Sequence, residues 1–303
     1  MYDILIIGGG PAGLTAAVYA GRAEKSALVI EKDAFGGQIT HSPRVENIPG
    51  FVSLSGNEFA EKLVDQAIAQ GAEFESGEVT ELRRDAGTGI FTAVTEFGEY
   101  EGRAVILATG AKHRELGIAR EHEVEGVSYC AVCDGAFYKG MEVGVVGGGN
   151  SALQEAVLLS GLWKKVTIFQ DLPALTGEKK LQEELAGKDN VEVICGVHVE
   201  ELLGDTELAG VVIRKTESGE TMEVPLQGLF VAIGLLPQNE PFTDYIDLNA
   251  WGYADSDETT VTRTPGVFAA GDCRSKRIRQ VTTATADGAV AALKAIDYIE
   301  GRI

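Results

Sequence analysis

The sequence predicts an α/β protein built from two copies of one three-layer, parallel-sheet unit, and three observations predict it. An apolar run, Ile4–Ile7, enters the glycine turn Gly8-Gly9-Gly10-Pro11-Ala12-Gly13, and a second, Met141–Val146, enters Gly147-Gly148-Gly149-Asn150-Ser151-Ala152. A helical stretch and another apolar run follow each turn, the strand–turn–helix–strand order of a parallel sheet. The spacing repeats, with Glu31 18 positions after Gly13 and Gln170 18 positions after Ala152, so the chain carries an internal duplication. Between the copies lies Cys130-Ala131-Val132-Cys133-Asp134-Gly135, two thiols three positions apart with an acid directly after them.

Taken in order, Ile4–Ile7 reads as a buried strand entering a phosphate turn. Gly8 makes the tight turn, Gly10 lets the backbone approach a pyrophosphate, and Gly13 lets helix and strand pack closely. Pro11 and Ala12 complete the fingerprint, and the helix N-terminus faces the phosphates. Leu14–Ala23 is the helix, Ala27–Ile30 the next strand, and Glu31 ends it, placed to accept hydrogen bonds from an adenosine ribose. Phe35-Gly36-Gly37-Gln38 is a second glycine loop, and Pro43 to Phe51 is irregular. Asn57–Gln70 is an amphipathic helix stopped by Gly71. Glu73–Thr95 reads as strands around the turn Asp85–Gly89, and Val105–Ala108 as a buried strand ending at Thr109-Gly110. The polar stretch Gly117–Gly126 is expected to carry the first domain crossing.

In the second copy, Ser151–Ser160 is the helix and Val166–Phe169 the next strand. Lys179–Leu185 is a helix; Val191–Cys195 and Val211–Arg214 are strands. Leu229–Ile233 runs into Gly234-Leu235-Leu236-Pro237, the expected second crossing. Gly266–Ala270 is a strand ending in Gly271-Asp272, and Asp287–Ile299 is the closing helix.

The chain has 303 residues, 45% hydrophobic and 24% charged, which suits two domains better than one core. A net charge of −20 argues against nucleic acid and anionic membranes as partners, because both need a positive field. No apolar run approaches the roughly 18 residues of a membrane span. The N-terminus enters a strand at once, so no signal peptide is expected and a cytoplasmic location is inferred. Four cysteines make no disulfide framework, and in a reducing compartment a close CxxC points to redox chemistry or metal. Zinc would need two more ligands, while Cys195 and Cys273 are single and distant, so no metal site is expected. His41, His113, His122 and His198 form no spaced pair and read as surface or core residues.

These pieces together resemble the low-molecular-weight thioredoxin reductases over essentially the whole chain. The resemblance rests on Gly-Gly-Gly-Pro-Ala-Gly at 8–13, Gly-Gly-Gln at 36–38, Glu-Asn-Ile-Pro-Gly-Phe at 46–51 and Ala-Thr-Gly-Ala at 108–111. Tyr-Cys-Ala-Val-Cys-Asp-Gly at 129–135, Gly-Gly-Gly-Asn-Ser-Ala at 147–152 and Ala-Gly-Asp at 270–272 complete it. It implies two Rossmann-like, FAD/NAD(P)-binding domains, the second inserted into the first. Residues 1–115 and 240–303 would bind FAD; residues 116–239 would carry the dithiol on a degenerate pyridine-nucleotide fold. It also implies a homodimer whose central domain rotates to show the dithiol to flavin and to thioredoxin by turns. Gly8, Gly10, Pro11, Ala12, Gly13, Glu31, Lys32, Gly37, Gln38, Asn47, Thr109, Gly110, Asp272, Arg279, Gln280 and Val281 would hold the FAD. Cys133 would face the flavin, Cys130 would attack the disulfide of thioredoxin, and Asp134 would donate a proton to the leaving thiolate. The plainer alternative for Asp134 is a helix cap. For Cys195 and Cys273 it is core packing.

One position departs from that pattern. NADPH-dependent members carry a His-Arg-Arg…Arg cluster for the 2′-phosphate after the second strand of the central domain. Here the same offset reads Gln170-Asp171-Leu172-Pro173-Ala174-Leu175-Thr176, without a base. Losing charge-assisted bonds costs about 1.5–3 kcal/mol each, and Asp171 adds repulsion, so NADPH is rejected. The run at 170–178 is similar to that of the ferredoxin-dependent flavin thioredoxin reductases. Three hypotheses follow: a reductase fed by ferredoxin, the same enzyme fed by NADH, and a flavin redox sensor without turnover. Arg274-Ser275-Lys276-Arg277-Ile278-Arg279, the densest basic run, reads either as a solvated loop or as a landing site for an acidic ferredoxin.

Overall fold

A computed structural model describes every residue except Pro43, the first of the irregular segment expected over 43–51. The chain divides into two compact units, Met1–Lys112 with Leu236–Ile303, and His113–Leu235. In the first, β1 (Tyr2–Ile7), α1 (Pro11–Arg22) and β2 (Ala27–Glu31) follow the expected order. Then come α2 (Gly56–Ala69), β3 (Glu73–Ser76), β4 (Glu81–Arg84), β5 (Phe91–Val94) and β6 (Glu99–Leu107). The chain crosses in β7 (Ala111–His113). The second unit holds β8 (Val127–Ser128), α3 (Ala131–Asp134), β9 (Glu142–Val146), α4 (Asn150–Ser160) and β10 (Lys165–Gln170). It continues through α5 (Lys179–Ala186), β11 (Val191–Cys195), β12 (Val197–Leu203), β13 (Gly210–Lys215), β14 (Thr221–Pro225) and β15 (Gly228–Val231). The return is β16 (Leu235–Pro237), and β17 (Val267–Ala269) and α6 (Val281–Ile299) complete the first unit.

The duplication is visible in the sheets. In the first unit β3-β2-β1-β6 is followed by β17 on β6, all parallel. In the second, β11-β10-β9-β15-β8 repeats that order, also parallel. Each sheet is accompanied by an antiparallel meander, β4-β5 pairing with the first part of β6 and β12-β13-β14 standing separately. The central strands are apolar on both faces because both faces are covered. On one side of the first sheet Ile4, Ile6 and Ile106 pack with Ala16, Ala20, Ala291 and Ala295 of α1 and α6. On the other side Leu5, Ile7, Val105 and Leu107 pack with Phe91 and Phe242. Each such fully buried aliphatic chain is worth about 1.5–3 kcal/mol.

Two boundaries differ from expectation. The first crossing lies at 112/113 and not within Gly117–Gly126, because that polar stretch folds on itself: buried Glu121 accepts N–H bonds from Leu116 and Gly117, both 2.8 Å. The second lies at 235/236, inside the expected Gly234–Pro237. The closing helix begins at Val281, well before Asp287. Its threonines have weak helix propensity, but a reciprocal cap between Gln280 and Thr283 starts it.

Candidate active site

In the second unit Cys130 and Cys133 form a disulfide, with Cα atoms 5.3 Å apart. Cys130 is the N-cap of the short helix α3, and its Sγ accepts the Cys133 N–H at 3.2 Å. Ala131 is buried under the loop whereas Val132 is 59% exposed, so the pair sits at the surface on an anchored base. The anchor is α4, whose Ala152, Ala156 and Leu159 share an apolar cluster with Ala131, Trp163 and Phe230.

Asp134 is not a helix cap: it makes no capping bond at the turn it precedes. Its Oδ2 accepts a 2.6 Å hydrogen bond from Ser128 Oγ, and its buried Oδ1 has no partner. Burial pushes its carboxyl above the ordinary value, and the Ser128 bond only partly opposes that. The group is therefore biased toward the protonated form, one residue after Cys133. Ser128 also accepts the Cys130 N–H at 3.1 Å, so one hydroxyl ties the acid to the Cys130 backbone. Nothing in the sequence marked Ser128. Tyr129 lies next to Cys130, donates to Glu121 at 2.7 Å, stacks with His122 and meets the His113 ring at a tilt.

The first unit assembles the residues expected to hold FAD. The N-terminus of α1 has no side-chain cap and no acid in its first turn, which leaves its N–H groups and positive end for a diphosphate. A side chain on Gly13 would collide with the Gly8 carbonyl, so glycine is required for this close packing. Glu31 accepts N–H bonds from Gly9 at 2.6 Å and Asp33 at 2.8 Å, keeping a free lone pair on each oxygen. Gly37 and Gln38 open a 3-10 turn beside Gly10. Asn47 bonds Gln280 at 3.2 Å, Arg279 reaches the Asp272 carbonyl at 3.4 Å, and Val281 begins α6. Thr109 bonds buried Asn239, which also reaches the Cys273 carbonyl at 2.8 Å, tying the Thr109-Gly110 loop to Asp272's turn. Asn239 was not expected either. Asp272 Oδ1 is buried without a partner and its carboxyl is raised by burial, the mark of a polar group awaiting a donor. These features fit a flavin dinucleotide. Lys32 points elsewhere, to Glu78 and Gln238.

The second glycine turn offers an internal comparison. In the first unit the Gly36 N–H docks on the Gly9 carbonyl at 2.7 Å, and the next residue is Gly37. In the second, the Gly177 N–H docks on the Gly148 carbonyl at 2.9 Å, and the next residue is Glu178. Glu178 exchanges hydrogen bonds with the side chain of Asn150, the first residue of α4, at 2.7 and 3.3 Å. A carboxylate thus stands at the helix end where the first unit has bare backbone. The next residues, Lys179 and Lys180, open α5.

The basic run 274–279 is not a continuous surface, which corrects that expectation. The Arg274 side chain is 1% exposed and bonds Asp287 at 2.8 and 2.9 Å and Glu258 at 3.0 Å. Lys276, 4% exposed, also pairs with Asp287 at 2.8 Å. Arg279 stacks over Tyr253. They turn inward because buried Asp287 on α6 needs counter-charge; Arg277 remains exposed. Cys273 is fully buried in the core and Cys195 half-buried in β11. Among the described residues no cluster could hold a metal ion.

Comparisons with known proteins agree with this geometry. The model of the pyridine nucleotide-disulphide oxidoreductase family matches residues 2–288. The chain is 42% identical to a Clostridium pasteurianum protein named as a 34.2 kDa protein in a rubredoxin operon, covering 99% of this chain and 98% of that one. It is 41% identical to the thioredoxin reductase of Bacillus subtilis, over 99% and 95% of the two chains. Its structure is similar to that of thioredoxin reductase from Streptococcus pyogenes, with a TM-score of 0.94, 38% identity and 99% coverage of both. With a dithiol loop on one unit and a flavin-shaped cradle on the other, the chain belongs to the pyridine nucleotide-disulphide oxidoreductase family, as an FAD-binding disulfide reductase of the thioredoxin reductase type.

Proposed function

We propose that the protein reduces the disulfide of thioredoxin with electrons from a one-electron iron–sulfur donor, ferredoxin, and not from a pyridine nucleotide. Glu178 carries the reading. It places a carboxylate at the N-terminus of α4, where the positive helix end would otherwise receive a pyrophosphate. That repels NADH as well as NADPH, whereas the missing bases at 170–176 disfavour NADPH alone. The Clostridium relative, from a rubredoxin operon, supports an iron–sulfur carrier of single electrons. The Gly147-x-Gly149-x-x-Ala152 turn favours NADH as the second reading.

FAD, when bound, supplies the step from single electrons to a pair. Gly8, Gly10, Pro11, Ala12, Gly13, Glu31, Gly37, Gln38, Asn47, Thr109, Gly110, Asp272, Arg279, Gln280 and Val281 hold it. Cys133 is the sulfur that receives the pair. Cys130 attacks the thioredoxin disulfide, Cys133 resolves the mixed disulfide, and Asp134 supplies the proton to the departing thiolate. A homodimer and a cytoplasmic location belong to the same reading. No helix among the described residues is long and apolar enough to cross a membrane. The test is an oxygen-free titration of the oxidised protein with NADPH, NADH and reduced ferredoxin in turn, following flavin absorbance. Bleaching by ferredoxin alone is expected; stoichiometric bleaching by NADH and none by ferredoxin would select the second reading.

A further inference from the structure

Glu155 has no part in the chemistry described so far, yet its carboxyl bonds the backbone of Ala131, between the two cysteines. It lies on α4 one turn before Leu159, on the face that packs against Ala131 and Gly135. Its Oε2 is buried without a hydrogen-bond partner, and the backbone N–H of Ala131 bonds its carboxyl. Ala131 is joined to Cys130 by one peptide bond, and its N–H is one of the donors at the start of α3 that have no carbonyl partner within the helix. Such donors are the groups that stabilise a thiolate in a CxxC loop. A carboxylate on Ala131 N–H competes for that stabilisation; a neutral carboxyl does not.

We propose that Glu155 is a positioning residue of the redox centre: anchored on Ala131, it takes up a proton when the Cys130–Cys133 disulfide opens and releases it when the disulfide closes. On reduction two electrons enter the S–S bond and break it. One sulfur is protonated through Asp134 and the other remains a thiolate. The new negative charge beside Glu155 raises its proton affinity, so a proton from solvent joins the carboxyl. On reoxidation the electron pair leaves on the partner's dithiol, and Glu155 returns its proton. Burial already lifts the Glu155 carboxyl to about 7, so this exchange falls at neutral pH. The charged groups on the elements packed around α4 are Asp134 on α3, Lys179, Lys180, Glu183 and Glu184 on α5, and Glu142 and Lys165 on β9 and β10. None of them acts on its titration, which follows burial and the Ala131 bond.

The proposal rests on Cys130–Cys133 being the working disulfide. The experiment equilibrates the FAD-loaded protein with a dithiol of known potential from pH 6 to 9, traps free thiols by alkylation, and counts them by mass. Above pH 7 the wild type is expected to lose reduced form up to tenfold faster per pH unit than Glu155→Gln, the signature of one extra proton. A second measurement needs no variant. The reduced-minus-oxidised infrared spectrum of the wild type should gain a protonated-carboxyl band that survives in Asp134→Asn and is absent in Glu155→Gln. Parallel pH profiles, or no carboxyl gain, overturn the proposal. Failure of every dithiol to reduce the pair would instead overturn the reading of the disulfide itself.

Discussion

Ser128 donates a 2.6 Å hydrogen bond to one oxygen of Asp134 and leaves the other buried and bare. Burial raises this carboxyl and Ser128 lowers it; with Asp134 as the proton donor proposed above, the pair would set the pH at which a proton is available to the sulfurs. Asp134→Asn is expected to slow dithiol–disulfide turnover about a hundredfold. Ser128→Ala should move the alkaline limb of the rate profile up by about one unit, since a bond to a charged group is removed. Thioredoxin reduction followed against pH checks both; an unmoved limb in Ser128→Ala would exclude Asp134 as the proton source.

Cys133→Ser should leave Cys130 able to trap thioredoxin in a stable mixed disulfide, while Cys130→Ser should bleach with the electron donor but reduce no thioredoxin. Peptide mapping of the trapped species locates the bond. Cys273, fully buried with its thiol against the Leu107 and Ala270 carbonyls, is expected to form none.

The sequence made some of this legible and hid the rest for identifiable reasons. Ile4–Ile7 and Met141–Val146 read as strands because parallel strands covered on both faces are continuous apolar runs. Gly8, Gly13 and Gly147 announce themselves because a side chain at any of them would strike a backbone carbonyl. Asn239 and Ser128 were invisible, since single polar residues acquire meaning only from distant partners: Thr109 and Cys273 for one, Asp134 for the other. Lys276 misled because charge composition does not say which way a side chain turns, and a buried Asp287 lay 11 positions ahead.

Two buried carboxyls should bend the stability curve in opposite senses. Asp287 feels burial, but bonds and charges from Arg274 and Lys276 outweigh it and hold its carboxyl below the ordinary value. Its stabilisation is present above the usual carboxylate range and is lost as pH falls through the depressed value. Asp287→Asn strands two buried cations and should cost about 3–5 kcal/mol, with FAD content falling in parallel. Glu155 is raised by burial from 4.5 to about 7, so its contribution is full below 4.5 and drains away as pH rises toward 7. Urea midpoints of Asp287→Asn and Glu155→Gln from pH 4 to 8 check the signs.

Glu178→Gly would give the second turn the bare backbone of the first. It is expected to raise NADH affinity about tenfold, since a repulsive charge at a partly solvated site is removed, with FAD content unchanged. Calorimetric titration with NADH decides it; no gain in affinity would show that the carboxylate is not what bars the dinucleotide.

Arg277 is the exposed base of its loop. Arg277→Glu should slow flavin reduction by ferredoxin severalfold at low salt and leave it nearly unchanged at high salt, as charge steering requires. The double change with Lys276 would tear open the Asp287 cluster and answer a different question. Stopped-flow absorbance at two ionic strengths separates the two effects.

Because residues 113–235 form their own unit while the first sheet needs β17 and α6 from the end of the chain, synthesis and folding run in different orders. The central unit is whole as soon as its last strand leaves the ribosome. The half made earliest must wait: the alanine face of α1 pairs with α6, a helix translated after the whole central unit. Asp272, Gln280 and Val281 arrive just as late. Nascent chains therefore carry a finished dithiol domain on an unfinished one, with α1 uncovered. A chaperone or excess flavin supplied during translation is therefore expected to raise the yield of folded protein more than the same addition afterwards.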